Sequence, residues 1–296
     1  MHQPEVQLAF NMPMQLGECP LWHPQENRLY WIDIDGRAVH RLDPQNNMHH
    51  VWPMPSEPGA IAWSAAGGLL VALRSGLAML DTNSGALNMV AAPPYDPVHE
   101  RFNDGRCDAA GRFWVGTIYE PRDQPKAALY AVERGALRDS GKRATVSNGV
   151  AFSPDNRTFY HSDTTSHCIT AYDYDVASGA VGEGRLLQRF PTERGPDYGG
   201  RPDGAAVDSA GNYWCAMYEG GRLLQLTSAG AILREILLPV RCPTMMAFGG
   251  IDLRTLYITT VSNKRSPEEL AACPLSGCLL SVRVEVPGRP EYPYIP

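Results

Sequence analysis

The sequence predicts an all-β chain folded as a six-bladed β-propeller. Three observations carry that expectation: a unit repeated six times, four strand-like segments in each unit, and no amphipathic helical run of useful length. The first unit opens at Glu18 in E-C-P-L-W-H-P-Q-E-N-R-L-Y-W-I-D, with an apolar anchor four residues on at Trp22, a turn, and a second strand around Tyr30. The same frame opens at Gly59 with Trp63 and Leu70, and at Asn103 with Cys107 and Trp114. It opens again at Asn148 with Phe152 and Tyr160, at Asp203 with Val207 and Trp214, and at Thr244 with Phe248 and Tyr257.

The six starts are spaced by 41, 44, 45, 55 and 41 residues, which is blade length. Third and fourth segments follow, as in A-L-Y-A-V after Ala127, I-T-A-Y-D-Y-D after Cys168 and R-L-L-Q-L after Gly221. A β-sandwich has similar strands but does not repeat a four-residue step and a second anchor 11 to 13 residues on. One short helical turn is expected in residues 264–272, and Trp22, Trp114 and Trp214 are expected in the core. Residues 1–296 are read as a single propeller domain.

Composition narrows the function. The chain has 296 residues, 44% hydrophobic and 20% charged, with 28 Gly and 25 Pro, which suits many turns and short strands. Its formal charge of −6 carries no Lys/Arg block, which argues against nucleic acid and anionic membrane as partners. No basic-then-apolar leader opens the sequence and no run approaches a membrane span, so a cytoplasmic location is expected. Seven cysteines with no C-x-x-C pair read as free thiols, Cys273 and Cys278 included. His49, His50 and His99 fall in polar connections and are expected to be exposed, as are His161 and His167 near the fourth unit.

In a propeller the first strand of every blade lines the central channel, so equivalent positions of different repeats converge. The first position of the six repeats holds Glu18, Gly59, Asn103, Asn148, Asp203 and Thr244. Two carboxylates brought together there would repel, and each would be costly to desolvate alone. No Lys or Arg shares the position, whereas a divalent cation would neutralise both and accept carboxamide oxygens as further ligands. An all-oxygen donor set favours Ca²⁺, with Mg²⁺ and Mn²⁺ also suited; Zn²⁺ and Fe²⁺ follow availability rather than ligand type. The competing explanation, that Asn148-Gly149 and Asp203-Gly204 are turn dipeptides, leaves Glu18 and the shared phase unexplained.

The runs L-G-E-C-P-L-W from Leu16, R-F-N-D-G-R-C-D-A-A-G-R-F-W-V-G-T from Arg101, S-N-G-V-A-F-S from Ser147 and P-D-G-A-A-V-D from Pro202 resemble the senescence-marker-protein/gluconolactonase/luciferin-regenerating-enzyme family, from about Leu16 to about Gly250. That resemblance implies a six-bladed propeller that hydrolyses sugar lactones with one divalent metal. It implies Glu18, Asn148 and Asp203 as metal ligands, Asp203 as general base (the alternative being that the metal generates the hydroxide itself), and Arg101, Asn103 and Glu120 as substrate-binding residues. Asp104 is a residue behind this set or an alternative base, and equally a turn-forming Asp before Gly105.

The expected ligand is a small sugar lactone, gluconolactone or a pentonolactone, and the expected state a monomer or weak homo-oligomer. Two alternatives are a calcium-dependent phosphotriesterase or arylesterase, whose pocket would be hydrophobic with His near the metal, and a non-enzymatic calcium-binding propeller. The absence of G-x-S-x-G and of a Gly-rich nucleotide fingerprint argues against other chemistries. Loops 192–201 and 262–270 are expected over the channel mouth.

Overall fold

A computed structural model describes residues 4–195 and 197–296. Among these residues the strands form six four-stranded antiparallel sheets, and the one α-helix is the short Pro267–Ala272, inside the segment expected to turn. The first blade runs Gly17–His23, Arg28–Asp33, Ala38–Asp43 and Met48–Pro53 from axis to rim. The next four follow the same order. The sixth takes three strands from Pro243–Gly249, Thr255–Thr260 and Leu279–Arg283, and its outermost from Val6–Phe10 near the start of the chain. Val6 faces Val282 and Leu8 faces Leu280 across that closing seam.

Burial grades from axis to rim because each blade packs both faces against neighbours near the axis only. Gly17–His23 is buried throughout, while Met48–Pro53 alternates or opens to solvent. Trp22, Trp114 and Trp214 are buried as expected. In the third and fifth blades one Asp locks both the turn and the Trp. Asp108 Oδ1 accepts the Ala110 N–H at 2.9 Å, and its Oδ2 accepts the Trp114 indole N–H at 3.1 Å. Asp208 repeats this with Ala210 and Trp214, each at 3.0 Å.

The six innermost strands share an irregularity. Each breaks register near its start: between Glu18 and Leu21, Pro58 and Ala60, Phe102 and Gly105, Asn148 and Ala151, Pro202 and Ala205, Pro243 and Met245. A bulge re-aims a side chain, and these six sit where the repeat frame began. Asn148, Asp203 and Asp104 are thus strand residues at bulges, and the turn explanation is overturned for all three.

Beyond the last strand the chain crosses the opposite end of the channel. The Gly288 N–H donates to Leu253 O at 2.8 Å, and Pro287 O accepts from Ser209 at 2.9 Å. Tyr294 donates to Trp63 O at 2.8 Å, and Ile295 donates to Gly111 O at 2.9 Å. These partners lie at or just past the ends of innermost strands, so residues 287–295 form a floor. On it the Glu291 carboxylate pairs with the Arg106 guanidinium, which also donates to Val150 O at 3.0 Å and Ala205 O at 2.8 Å.

Several histidines depart from expectation. His49 and His50 lie in the strand Met48–Pro53, not in a connection. His49 is half-buried 3.0 Å from His40 Nδ1 and stacks on Trp31, because the flat rings fill the rim of blade one. His161 and His167 are buried rather than on the surface: His161 Nε2 lies 2.7 Å from Ser147 Oγ, between strands of blade four. All seven cysteines are free. Among the described residues no helix is long and apolar enough to cross a membrane.

Candidate functional site

The bulged ends of the innermost strands open into a cavity of about 310 Å³. Glu18, Arg101, Asn103, Asn148 and Asp203 line it and are each nine-tenths or more buried; Glu120 lines it nearer solvent. Six side chains spread over one hundred and more residues of sequence therefore share one wall. The other two positions of the repeat frame are structural. A Cβ on Gly59 would lie 2.1 Å from Phe102 O, so the chain passes too close there for a side chain. Thr244 turns its hydroxyl to Gly17 O at 2.5 Å.

The carboxylates at this mouth lack a cationic partner. Neither Glu18 nor Asp203 forms an ion pair with a described residue; Glu18 Oε2 accepts only the neighbouring Cys19 N–H at 3.0 Å. Burial, then the charges of Asp203 and Asp104, holds the Glu18 carboxyl well above the usual carboxylate range. Burial, then Asp104, pushes Asp203 up to about 8, against the opposing pull of Arg201 and Arg122. Asp104 does not line the cavity. It sits one residue deeper, its Oδ2 accepting the Val150 N–H at 2.9 Å and its Oδ1 buried without a hydrogen bond. Burial raises it to about 6.

A directed chain of hydrogen bonds fixes the amide of Asn148. The Arg101 guanidinium donates to Asn103 Oδ1 at 2.8 Å, and Asn103 Nδ2 donates to Asn148 Oδ1 at 2.9 Å. Asn148 Nδ2 donates to Thr164 Oγ1 at 2.8 Å, whose hydroxyl donates to Pro202 O at 2.7 Å. Asn103, Asn148 and Thr164 each accept on one side and donate on the other, so the Asn148 oxygen is fixed as an acceptor at the cavity lining with a lone pair to spare. Burial lowers the Arg101 guanidinium from its ordinary value, with the Glu120 charge opposing.

Among the described residues no three His, Cys, Asp or Glu cluster closely enough to hold a metal. A cation here would take Glu18, Asp203 and a carboxamide, and the donors present fit that: two mutually repelling buried carboxylates and a fixed amide oxygen, all hard ligands.

Sequence reasoning missed Thr164, Arg74 and Tyr218, all of which line the cavity, and reached Arg201 and Arg265 only as parts of the two loops expected over the mouth. A signal existed for Thr164. It follows Asp163 as Ile34 follows Asp33, both ending second strands, and Ile34 also lines the cavity. Both aspartates hold the entering strand: Asp33 accepts the Leu16 N–H at 2.9 Å and Asp163 the Val146 N–H at 3.0 Å. From loop 192–201 Arg201 reaches the cavity, from loop 262–270 Asn263, Lys264 and Arg265; Pro196 lies outside the described residues.

Comparison with known proteins agrees with this construction. The chain is 49% identical over 288 residues to a 6-deoxy-6-sulfogluconolactonase of Pseudomonas putida, covering 97% of each chain. It is 32% identical to a pentonolactonase of Haloferax volcanii over 94% of each. The crystal structure of regucalcin, a calcium-binding protein from Agrobacterium tumefaciens, superposes with a TM-score of 0.92 at 26% identity, covering 98% of this chain and 97% of that one. Residues 16–262 match the SMP-30/gluconolactonase/LRE-like region. The chain belongs to that family.

Proposed function

We propose that the protein is a sugar lactonase: it adds water across the ring ester of an aldonolactone and releases the aldonic acid. Residues 1–296 are read as one domain. The observation that carries the reading is the pair Glu18 and Asp203, buried at the mouth with no cationic side chain among the described residues in ion-pair contact, beside a cavity lined by hydroxyl-binding groups. The sulfogluconolactonase and pentonolactonase relatives support the substrate class.

Glu18, Asn148 and Asp203 would hold one divalent cation, with Ca²⁺ favoured by the oxygen donors. When bound, such an ion supplies Lewis acidity toward an ester carbonyl and stabilises oxyanion charge. The chain's own residues do the rest. Arg101, locked to Asn103 Oδ1 at 2.8 Å, presents its remaining N–H donors to sugar hydroxyls, and Asn103, whose two amide hydrogens go to Ser147 O and Asn148 Oδ1, offers its Oδ1 as an acceptor beside them. Arg74 holds Glu120 by two bonds of 2.7 and 3.0 Å, so the Glu120 carboxylate can accept a hydroxyl without swinging. Asp203 takes the proton of the attacking water as its oxygen bonds to the carbonyl carbon; the ring C–O bond breaks and the leaving oxygen receives a proton. Asp104, below the cavity with one oxygen committed to Val150, serves as a fixed negative charge behind the site rather than as the base.

The phosphotriesterase or arylesterase reading is disfavoured by the lining, which is polar and, among the described residues, contains no histidine. Acid release from gluconolactone and pentonolactones after chelation, with metals restored singly, tests the proposal. Activity lost and recovered supports it. Tight metal binding without turnover of any lactone would leave the non-enzymatic reading, and paraoxon turnover alone the esterase one.

A further inference from the structure

The cavity has two unlike walls. Beside blades two and three the charges close on one another: Arg74 binds Glu120 at 2.7 Å and Glu57 at 3.1 Å. Across from them, blades five and six present Arg201, Tyr218, Lys264 and Arg265 around a single glutamate, Glu219. Arg201 and Tyr218 are cross-strand partners, and the Arg201 guanidinium carbon lies 5.2 Å from the Tyr218 ring centre. The Arg265 guanidinium lies 5.9 Å from the same ring.

This second wall is short of negative charge. Glu219 is shared by Arg194 at 3.1 Å and Arg201 at 3.4 Å, and Glu269 by Arg241 at 2.8 Å and Arg265 at 3.7 Å. In each pair the arginine facing the cavity has the longer contact. Arg201 Nε is buried and makes no hydrogen bond to a described residue, and the exposed Lys264 side chain lines the same cavity. In a chain of formal charge −6, a local excess of cations with unspent donors costs self-repulsion that an anion would relieve.

We infer that Arg201, Arg265 and Lys264 form a subsite for a sulfonate or phosphate group carried by the lactone at the end remote from its ring carbonyl. The inference rests on the lactonase reading, which places that carbonyl beside Glu18 and Asp203. Two guanidinium forks and an ammonium offer donors alone, and a three-oxygen anion can accept from all of them at once. Tyr218 serves as the platform that keeps both forks turned inward.

The test compares gluconolactones carrying a 6-hydroxyl, 6-phosphate or 6-sulfonate as substrates of the whole enzyme. The wild type should favour one of the anionic lactones in kcat/KM by about tenfold or more, an advantage that shrinks in about 0.5 M salt. Arg265→Gln should erase most of that ratio through KM, and Lys264→Gln part of it; both sit in a loop whose strands do not depend on them. Which anion leads separates sulfonate from phosphate. A wild-type ratio near one, or equal losses on charged and uncharged lactones in the variants, overturns the subsite. If no lactone is hydrolysed, the lactonase reading fails, and calorimetry decides the subsite alone. Tighter binding of 6-phosphogluconate or 6-sulfogluconate than of gluconate, lost in Arg265→Gln, supports it, and equal binding overturns it.

Discussion

The two ends of the channel treat buried carboxylates in opposite ways. At the floor, Glu291 meets the Arg106 guanidinium, which is further held by two backbone carbonyls. At the mouth, Glu18 and Asp203 are more deeply buried and form no ion pair with a described residue: Asp104 repels both, and Arg101, with Arg201 and Arg122 at Asp203, opposes this only from beyond ion-pair distance. Both ends lie on the same axis of the same six sheets, so the sheets do not impose the difference. A chain that pairs a guanidinium with the carboxylate at its floor, yet turns the buried Arg101 guanidinium at its mouth to Phe102 O and Asn103 Oδ1, has left the charge of Glu18 and Asp203 to be balanced from outside.

The largest expected effect strikes the mouth. Asp203→Ala should lower lactone kcat by about a thousandfold or more, as removal of a group acting in the transition state does. In chelator the same variant should unfold no earlier than wild type, since it removes a repelling carboxylate. Earlier unfolding in chelator would show that Asp203 is satisfied by the protein alone. The floor should behave in reverse. Glu291→Ala leaves the Arg106 guanidinium buried without its carboxylate, and urea unfolding should show a loss of about 3–5 kcal/mol. A loss under about 1 kcal/mol would mean that the backbone carbonyls suffice.

Metal binding supplies the next effect. A divalent cation at about a hundred times its Kd should stabilise the chelated wild type by about 2.7 kcal/mol in urea unfolding, and Glu18→Gln should abolish that gain. Stabilisation that survives in Glu18→Gln would place the ion elsewhere.

The smallest effect comes from a group at neither end. Burial, with His49 beside it, depresses His40 to about 3. Its folded value lies below its unfolded one, so its contribution is intact above about pH 6.5 and is lost as pH falls toward 3. Between pH 6.5 and 5 that amounts to about 2 kcal/mol. His40→Gln should flatten this part of the pH–stability profile; an unchanged slope would show that His40 stays hydrated when folded.

The contrast between the ends also explains what could be read in the amino-acid sequence. The six repeats were legible because a blade recurs every forty to fifty residues with large anchors such as Trp114 and Trp214. The ring residues were legible because one bulge recurs at the same phase in every innermost strand. Asp104 was not, since only the bulge decides that it points behind the ring instead of making a turn. The wall of Arg201 and Arg265 was hidden for a different reason. Its residues come from a strand start and a loop with no counterpart in other blades, and their charge excess depends on which carboxylates they share. The stacking of His49 on Trp31 was hidden likewise, because rim strands carry little periodic signal.

The closing seam between Val6–Phe10 and Leu279–Arg283 has a bearing on how the protein comes into being. The outer strand of the last blade is synthesised before the other described strands and its partner after them. A nascent chain with five blades already assembled is therefore still an open arc, and the residues that would hold a cation stand apart until the arc becomes a circle. Catalytic competence should consequently arrive in one step late in synthesis, and severing that seam should silence the distant mouth without touching any residue in it.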